Sequence, residues 1–437
     1  MNLEGQAIAV CGAGRSGQAA ARLACAQGAR VTLLDSGEPS VGGLPEVERV
    51  FGSKALTWRE DIACLIVSPG IDIKSPLVAP WVDAGTSVIG EIELASRFWS
   101  KRVIGITGTN GKTTTTELIT HLLNENGCSA VAGGNYGKPF ADIVLEDTSC
   151  EVAVLELSSF QLETIDQFRP HVSVWMNFAP DHMDRYETVD DYRHAKLAMY
   201  RNQTAKDWAI VNLSNGPGIE LVPQTLTFSA FGEGADFAYR DGQIYLRGES
   251  VASMAETYLA GKHNAENLMA AMAVGSIQGL STAGMQLAAS TYRPPRHRCE
   301  HVAKTDRGQV ILNDSKATNV HALESSLRAL DGPIVLIAGG KQKGLIYTSL
   351  KPWFAKKVCH LVTLGEIGPN LVQLADGLCP STAADSLEMA VGTAFKEAPD
   401  NAIILFSPGT SSFDMFSGYE QRGDAFTNLV EQHLANT

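Results

Sequence analysis

Residues 103–116 read Val-Ile-Gly-Ile-Thr-Gly-Thr-Asn-Gly-Lys-Thr-Thr-Thr-Thr, and no other segment constrains this chain as much. A short apolar run passes through a glycine-rich turn into a Lys-Thr pair that opens a helix: a βα unit. Such a turn directs several backbone N–H groups at one spot. The helix starting at Lys112 adds the positive end of its dipole, so the spot suits a polyphosphate. Lys112 supplies a point charge for the outer phosphates, and the Thr113 hydroxyl can hold Mg²⁺. Gly108, Thr109, Asn110, Gly111 and Thr114 complete the expected nucleotide loop. The strict phosphate-loop pattern places a glycine where Ile106 stands; the nearest glycines are Gly105 and Gly108. The competing reading is a glycine-rich turn that meets Gly-Lys-Thr by chance. Strand context before it and helix context after it favour an enzyme that uses ATP or GTP.

A chain of 437 residues exceeds one ordinary core, so two or three domains are expected. Hydrophobic content of 44% and charged content of 19% are those of a soluble globular protein. No apolar run approaches the ~18 residues of a membrane helix, and the opening Met-Asn-Leu-Glu-Gly lacks the features of a signal peptide. A formal charge of −13 argues against a general nucleic-acid binder. A local cluster of N–H groups and lysines can still take an anionic small ligand. The eight cysteines contain no Cys-x-x-Cys pair and are expected to be reduced and buried, with no zinc site. These features fit the cytoplasm.

The pattern is α/β throughout. In residues 1–95, Ala7–Val10 reads as a strand, followed by Gly12-Ala13-Gly14-Arg15-Ser16-Gly17 and an alanine-rich helix. Arg30–Leu34 runs into Asp35, and Leu65–Val67 into Ser68-Pro69-Gly70. This is a Rossmann-like layer. Its G-x-G-x-x-G turn with a later acid could bind NAD or another nucleotide diphosphate, or the glycines could serve only the turn. Residues 96–295 hold the phosphate loop, the strand Val152–Leu155, short strand-like segments over 204–260, and a helix over 264–278. Tyr292-Arg293-Pro294-Pro295-Arg296 reads as a linker. Residues 296–437 return to βα units with strands at 310–314, 334–340, 360–365 and 402–407. The expectation is three domains: Rossmann-like, central phosphate-loop ATPase, and a second Rossmann-like α/β domain.

Gly-Thr-Asn-Gly-Lys-Thr-Thr resembles the loop of the Mur ligase family. Leu155–Glu163, Asp181-His182-Met183-Asp184-Arg185-Tyr186, Gly261–Asn264 with Asn267, and Asn313–Asn319 are similar to further family blocks, in the family's order. The resemblance covers essentially the whole chain. It implies an ATP-dependent ligase that forms an acyl phosphate and adds D-glutamate to UDP-N-acetylmuramoyl-L-alanine, with Mg²⁺, as a cytoplasmic monomer in peptidoglycan precursor synthesis.

The resemblance also implies roles for individual residues. Glu156 ends an apolar strand, where a Mg²⁺-holding acid belongs; the plain alternative is a strand-end salt bridge. His182 would meet a second Mg²⁺ beside the substrate carboxylate. Lys196 reads, by sequence physics alone, as a surface lysine on a helix. The resemblance makes it a carbamylated metal ligand, which requires a neutral amine. Asn264 and Asn267 share a helix face and would meet adenine, although Asn264 could be an N-cap. Arg298 and Lys316 would lie near the nucleotide and Asp314 on its ribose. Arg15, Ser16, Asp35, Ser68, Pro69, Gly70 and Asn135 would hold the UDP-sugar. Thr318, Lys343, Ser412 and Phe413 match positions that receive D-glutamate, with Lys341 able to replace Lys343. A dehydrogenase, resting on Gly12–Gly17 and Asp35, leaves the Lys112 loop unexplained. A non-catalytic nucleotide-binding regulator leaves Glu156, His182 and Lys196 idle. The nearer rival is another ligase of the superfamily with a different amino acid.

Overall fold

The computed structural model describes all residues except 40, 45, 46, 147, 148, 184, 260, 295, 343, 436 and 437. The chain folds into two compact units, Met1–Tyr292 and Arg293–Thr437, and the division falls at the Pro-containing segment read as a linker.

The first unit contains two sheets. β1 (Ala7–Cys11), β2 (Arg30–Asp35), β3 (Glu48–Phe51), β4 (Cys64–Val67) and β5 (Val88–Gly90) form one of order β3-β2-β1-β4-β5, all parallel. Its central strands β1 and β4 are short continuous apolar runs because both of their faces are covered, whereas the edge strand β3 is half-polar and partly exposed. The strand order reverses beside β1, and there the turns after β1 and β4 meet: Ser68 Oγ donates to Gly12 O at 3.1 Å. Ligands of doubly wound sheets bind at such switch points.

The second sheet runs β14-β13-β12-β11-β10-β9-β6-β8-β7. Its parallel part comprises β6 (Arg102–Thr107), β7 (Ala130–Gly134), β8 (Val152–Glu156), β9 (Val172–Trp175), β10 (Trp208–Asn212), β11 (Gln224–Ser229) and β12 (Phe237–Arg240). An antiparallel meander through β13 (Gln243–Leu246) and β14 (Glu249–Ser253) finishes it. β8 and β9 flank β6, so Glu156 at the end of β8 and the segment 176–179 after β9 converge on the phosphate loop. The helix Lys262–Ile277 is buried nearly all round by alanines and methionines and packs on the helix Lys112–Glu125.

The expected segments 1–95 and 96–295 each carry a sheet but share one compact unit. The physical reason is a common core: helices Arg15–Ala26, Glu91–Ser96 and Phe140–Glu146 pack together, and Leu23, Ile92 and Phe140 belong to one buried cluster. Arg22 reinforces it with a two-oxygen grip on Asp142, at 2.9 Å to each.

The second unit has a sheet of order β15-β16-β20-β17-β18-β19. Its strands are β15 (Glu300–Lys304), β16 (Val310–Asn313), β17 (Ile334–Gly339), β18 (Val358–Leu364), β19 (Ser381–Ala383) and β20 (Ile403–Phe406). All pairs are parallel except β15 with β16. Apolar clusters fill both faces. None of the eight cysteines is in a disulfide; Cys11, Cys64 and Cys150 are buried and the other five are half-buried, against the expectation that all would be buried. Among the described residues no helix is long and apolar enough to cross a membrane.

Candidate active site

The loop between β6 and the helix Lys112–Glu125 turns at Gly108 and Gly111. Gly111 is the helix N-cap with φ of 80°, a left-handed conformation, and a Cβ there would collide with the Asn267 carboxamide. Glycine alone suits both constraints. Asn177, just past β9, fastens the loop from the side. Its Oδ1 accepts from Asn110 N at 2.8 Å and its Nδ2 donates to Asn110 O at 3.2 Å. Thr109 Oγ1 donates to Ala179 O and accepts from Ala179 N, both at 3.0 Å. The loop is therefore pre-formed by protein contacts.

Around it sit the groups that could do chemistry. Lys112 Nζ folds back onto the loop, donating to Gly108 O at 2.9 Å and Thr109 O at 3.0 Å. Thr113 Oγ1 donates to Glu156 Oε2 at 2.7 Å, and Asn135 Nδ2 donates to Glu156 Oε1 at 2.8 Å. Glu156 is buried, so its partners hold both carboxylate oxygens in place. Those partners are a hydroxyl and an amide rather than a cation, which sets aside the plain alternative of a strand-end salt bridge. A hydroxyl next to a carboxylate is a hard-oxygen donor pair suited to Mg²⁺, which keeps several waters and needs few protein ligands. Among the described residues no group of three His, Cys, Asp or Glu converges as a metal site.

Lys196 departs from its reading as a surface residue. It is 2% exposed, and its Nζ donates to Gly108 O at 3.0 Å, the same carbonyl that Lys112 uses. Burial holds its pKa well below the ordinary 10.5, and the Lys112 charge pushes the same way, while Asp181 and Glu156 oppose it. The result is a shielded amine that gives up its proton more readily than an ordinary lysine. The sequence could not show this, because His194-Ala195-Lys196-Leu197 carries no sign of which face packs inward. Tyr192, one turn earlier, lies under the lysine with the ammonium position 4.8 Å from its ring centroid.

His182 is placed differently from these. It is exposed, adopts φ of 57°, and meets its neighbours through rings: Phe160 at 4.8 Å and Tyr192 at 5.9 Å between centroids. Asn267 is buried, accepts from Thr115 Oγ1 at 3.2 Å and donates to Asn264 Oδ1 at 3.0 Å. Asn264 lies inside the first helical turn; the N-cap is Gly261.

At the N-terminal turn, Asp35 Oδ2 accepts from Ala13 N and Oδ1 from Gly37 N, each at 2.8 Å. Ser16 Oγ is buried without a hydrogen-bond partner among the described residues. Arg15 donates to Gly137 O, reaching the segment that carries Asn135. Ser68 is buried, while Pro69 and Gly70 lead outward to solvent.

In the second unit Asp314 is buried. Its Oδ2 accepts from Ser326 Oγ at 2.6 Å and Ser407 Oγ at 2.7 Å, and its Oδ1 from Cys299 N at 3.2 Å. Burial raises its pKa against the pull of these donors. Cys299 is thus a residue of the Asp314 shell. Arg298 Nη1 is buried with no hydrogen-bond partner among the described residues. Lys316 Nζ lies 5.8 Å from the Tyr419 ring centroid. Thr318 is half-buried, Ser412 buried and Phe413 68% exposed. Lys343 lies outside the described residues; Lys341 pairs with Glu366 at 2.7 Å. Arg422, unremarked in the sequence, is buried and bridges two loops, donating to Ser315 O at 2.7 Å and Thr410 O at 3.1 Å. Desolvation lowers its pKa to about 10. An isolated arginine in a C-terminal helix gives no sequence signal of this kind.

Residues 6–90 match the MurD-like N-terminal domain of Mur ligases, 106–275 the Mur ligase middle domain, and 297–409 the Mur ligase glutamate ligase domain. The UDP-N-acetylmuramoylalanine–D-glutamate ligase of Chlorobium limicola is 37% identical over 98% of this chain and 99% of its own. The chain belongs to the Mur ligase family. The enzyme of the same name from Salinibacter ruber is 38% identical over 97% of each chain. Among solved structures of the family, UDP-N-acetylmuramate–alanine ligase MurC of Thermotoga maritima aligns over 99% of this chain and 100% of its own. Its TM-score is 0.58 at 16% identity. A pseudomurein peptide ligase of Methanothermus fervidus gives 0.60 at 15% identity, covering 98% and 99%. At such identities these structures speak for the fold.

Proposed function

We propose that this protein is an ATP-dependent ligase that joins D-glutamate to UDP-N-acetylmuramoyl-L-alanine in cytoplasmic peptidoglycan precursor synthesis. The observation that carries the reading is the convergence of Lys112, Lys196 and the Thr113–Glu156 pair on one glycine-rich loop, in a chain whose full-length relatives bear that enzyme's name.

The substrate carboxylate attacks the γ-phosphorus of ATP, the bond to the bridging oxygen breaks, and ADP leaves with an acyl phosphate formed. The amine of D-glutamate then attacks the acyl carbon, phosphate departs, and the amide nitrogen loses a proton. Phosphoryl transfer demands positioning and charge neutralisation above all. Lys112 turns from the loop carbonyls to the β- and γ-phosphates, and the loop N–H groups hold the rest. Thr113 and Glu156, with His182, are the residues that would hold Mg²⁺, which neutralises phosphate charge. Lys196 fits the carbamate role because its amine is buried and its pKa is lowered, so it gives up its proton more readily than an ordinary lysine. Its lone pair adds to CO₂, a proton is released, and a cation becomes an anionic oxygen donor.

The N-terminal turn, with Ser16 and with Arg15, Asp35, Ser68, Pro69, Gly70 and Asn135, would take the UDP-sugar. Asn264 and Asn267 would meet adenine. Arg298, Asp314 and Lys316 would contact the nucleotide, and Thr318, Ser412 and Phe413 the amino acid, with Lys343 as the matched lysine.

The test is phosphate release from ATP with UDP-N-acetylmuramoyl-L-alanine and a panel of amino acids. Release that depends on D-glutamate is expected. Release with L-alanine or a diamino acid instead would move the chain to another ligase of the family.

A further inference from the structure

Between the loop that follows β4 and the turn that carries His182 lies a set of contacts with no part in the chemistry described above. Arg185 is their hub. Its Nη2 donates to Glu163 Oε2 at 2.7 Å and to Ile71 O at 3.4 Å, and its Nε faces Asp72 Oδ2 at 3.6 Å. Its guanidinium carbon lies 4.8 Å from the Phe160 ring centroid. His182 stands at the other end of the set. A non-glycine residue in the left-handed region is strained and persists only if its surroundings hold it; His182 has φ of 57°. His182 O accepts from both Arg185 N at 3.0 Å and Tyr186 N at 3.1 Å, so the turn closes on itself. Glu163 then pins both of those residues, since Tyr186 Oη donates to its second oxygen. Phe160 fills the space between, its ring against His182 on one side and under Arg185 on the other. Glu163 itself closes the short helix Ser159–Leu162, whose N-terminus is fixed by a Ser158–Gln161 capping box.

We propose that Arg185 is a positioning residue that couples the Ser68–Asp72 loop to the His182 turn, with Glu163 as its anchor. The inference rests on the ligase reading, in which the first segment holds the UDP-sugar and the second the metal and substrate carboxylate. Occupying the first loop steadies Ile71 and Asp72; these fix Arg185; and Arg185, through Phe160 and its own N–H, sets the imidazole. The pairing is placed to matter, because both Arg185 and Glu163 have side chains only 14% exposed. It is also placed to be removed safely. A cavity of about 470 Å³ opens beside it, lined by Lys74, Glu163, Arg185, Glu187, Asp191 and His194 among others. Truncation therefore leaves Glu163 within reach of water rather than as a stranded buried charge.

The experiment compares wild type, Arg185→Ala, Arg185→Lys and Glu163→Gln in steady-state phosphate release, with Lys74→Ala as control. Lys74 pairs with Glu187 at 2.7 Å on the same rim, but both are solvent-exposed. Arg185→Ala should raise the KM for the UDP-substrate and the half-saturating Mg²⁺ concentration at least about tenfold, with the KM for ATP within about twofold. Arg185→Lys should fall between, because it keeps the Glu163 ion pair and loses the fork toward Ile71 and Asp72. Glu163→Gln should follow Arg185→Lys, and Lys74→Ala should match wild type. A purely structural role would lower Tm and the active fraction, leaving every KM unchanged. That pattern, or an Arg185→Ala enzyme indistinguishable from wild type, overturns the proposal. Wild type that turns over no amino acid with the UDP-substrate overturns the ligase reading instead, so the two failures are told apart.

Discussion

Two glycine-rich βα turns stand in the same unit, and their backbones do similar work with opposite charge. The turn after β1 is closed by Asp35, whose carboxylate occupies the Ala13 and Gly37 N–H groups, and by the Ser68 hydroxyl on Gly12 O. The turn after β6 draws in two amines, Lys112 and Lys196, on a single carbonyl, with Thr113 hydrogen-bonded to Glu156 beside them. Backbone N–H groups and a helix N-terminus make either turn an anion site. What separates them is the side chains brought in from other strands. An acid at the end of β2 gathers backbone N–H groups in the first turn, whereas the second turn gathers two lysines and a hydroxyl–carboxylate pair.

Lys112→Ala should separate the two turns most widely. Removing the cation that the ligase reading assigns to the transferring phosphoryl group should cost about 10³-fold or more in turnover, while UDP-substrate affinity measured by calorimetry stays near wild type. Near-normal turnover in the folded variant would sink the assignment of the second turn. Lys196→Ala should come next, with nearly all activity lost and part of it restored by formate or acetate, which can fill the vacated anionic position. A lysine that served only packing would show no such rescue.

Gly17→Ala attacks the first turn through sterics alone. A Cβ there would run into Gly12 O and lie 2.7 Å from Ser68 Oγ. Thermal denaturation should show a loss of about 3 kcal/mol, with weakened UDP-substrate binding and no NAD affinity in either protein. Saturable NAD binding by wild type would bring back the dehydrogenase reading.

The smallest effect concerns Glu91, which ties the two sheets together by accepting from Ala141 N at 2.6 Å. Burial, aided by Asp142, pushes its pKa up to about 7 from the ordinary 4.5. A carboxyl raised in the folded state contributes stability that is full below pH 4.5 and lost as pH rises through 7. Glu91→Gln keeps the acceptor and removes the titration. The variant should gain on wild type between pH 4.5 and 7, by no more than about 3 kcal/mol. Parallel stability curves across that window would show that Glu91 titrates normally.

Much of the site was legible because its backbone is written locally. Gly108, Gly111, Lys112 and Thr113 are consecutive or nearly so, and Glu156 ends a run of apolar residues that can only be a central strand. The Asn177 clamp, the Arg422 bridge and the Glu163–Arg185–Asp72 contacts were not legible, since each joins residues far apart in the chain through one polar side chain. Lys196 shows the limit most plainly. Its helix has a Thr188–Asp191 capping box that fixes where it starts, but nothing local says that its Lys196 face packs onto Gly108.

The βα alternation, the two glycine turns, the break near Tyr292–Arg296 and the family motifs are all written in the amino-acid order, because each follows from steric and hydrophobic rules acting over a few residues. That residues 1–292 pack as one unit rather than two is a consequence of the assembled fold. So are the burial of Lys196, with its lowered pKa, and the sealing of Asp314 among Ser326, Ser407 and Cys299. Burial and charge proximity are properties of neighbours in space, and they set a pKa only once the chain has brought those neighbours together.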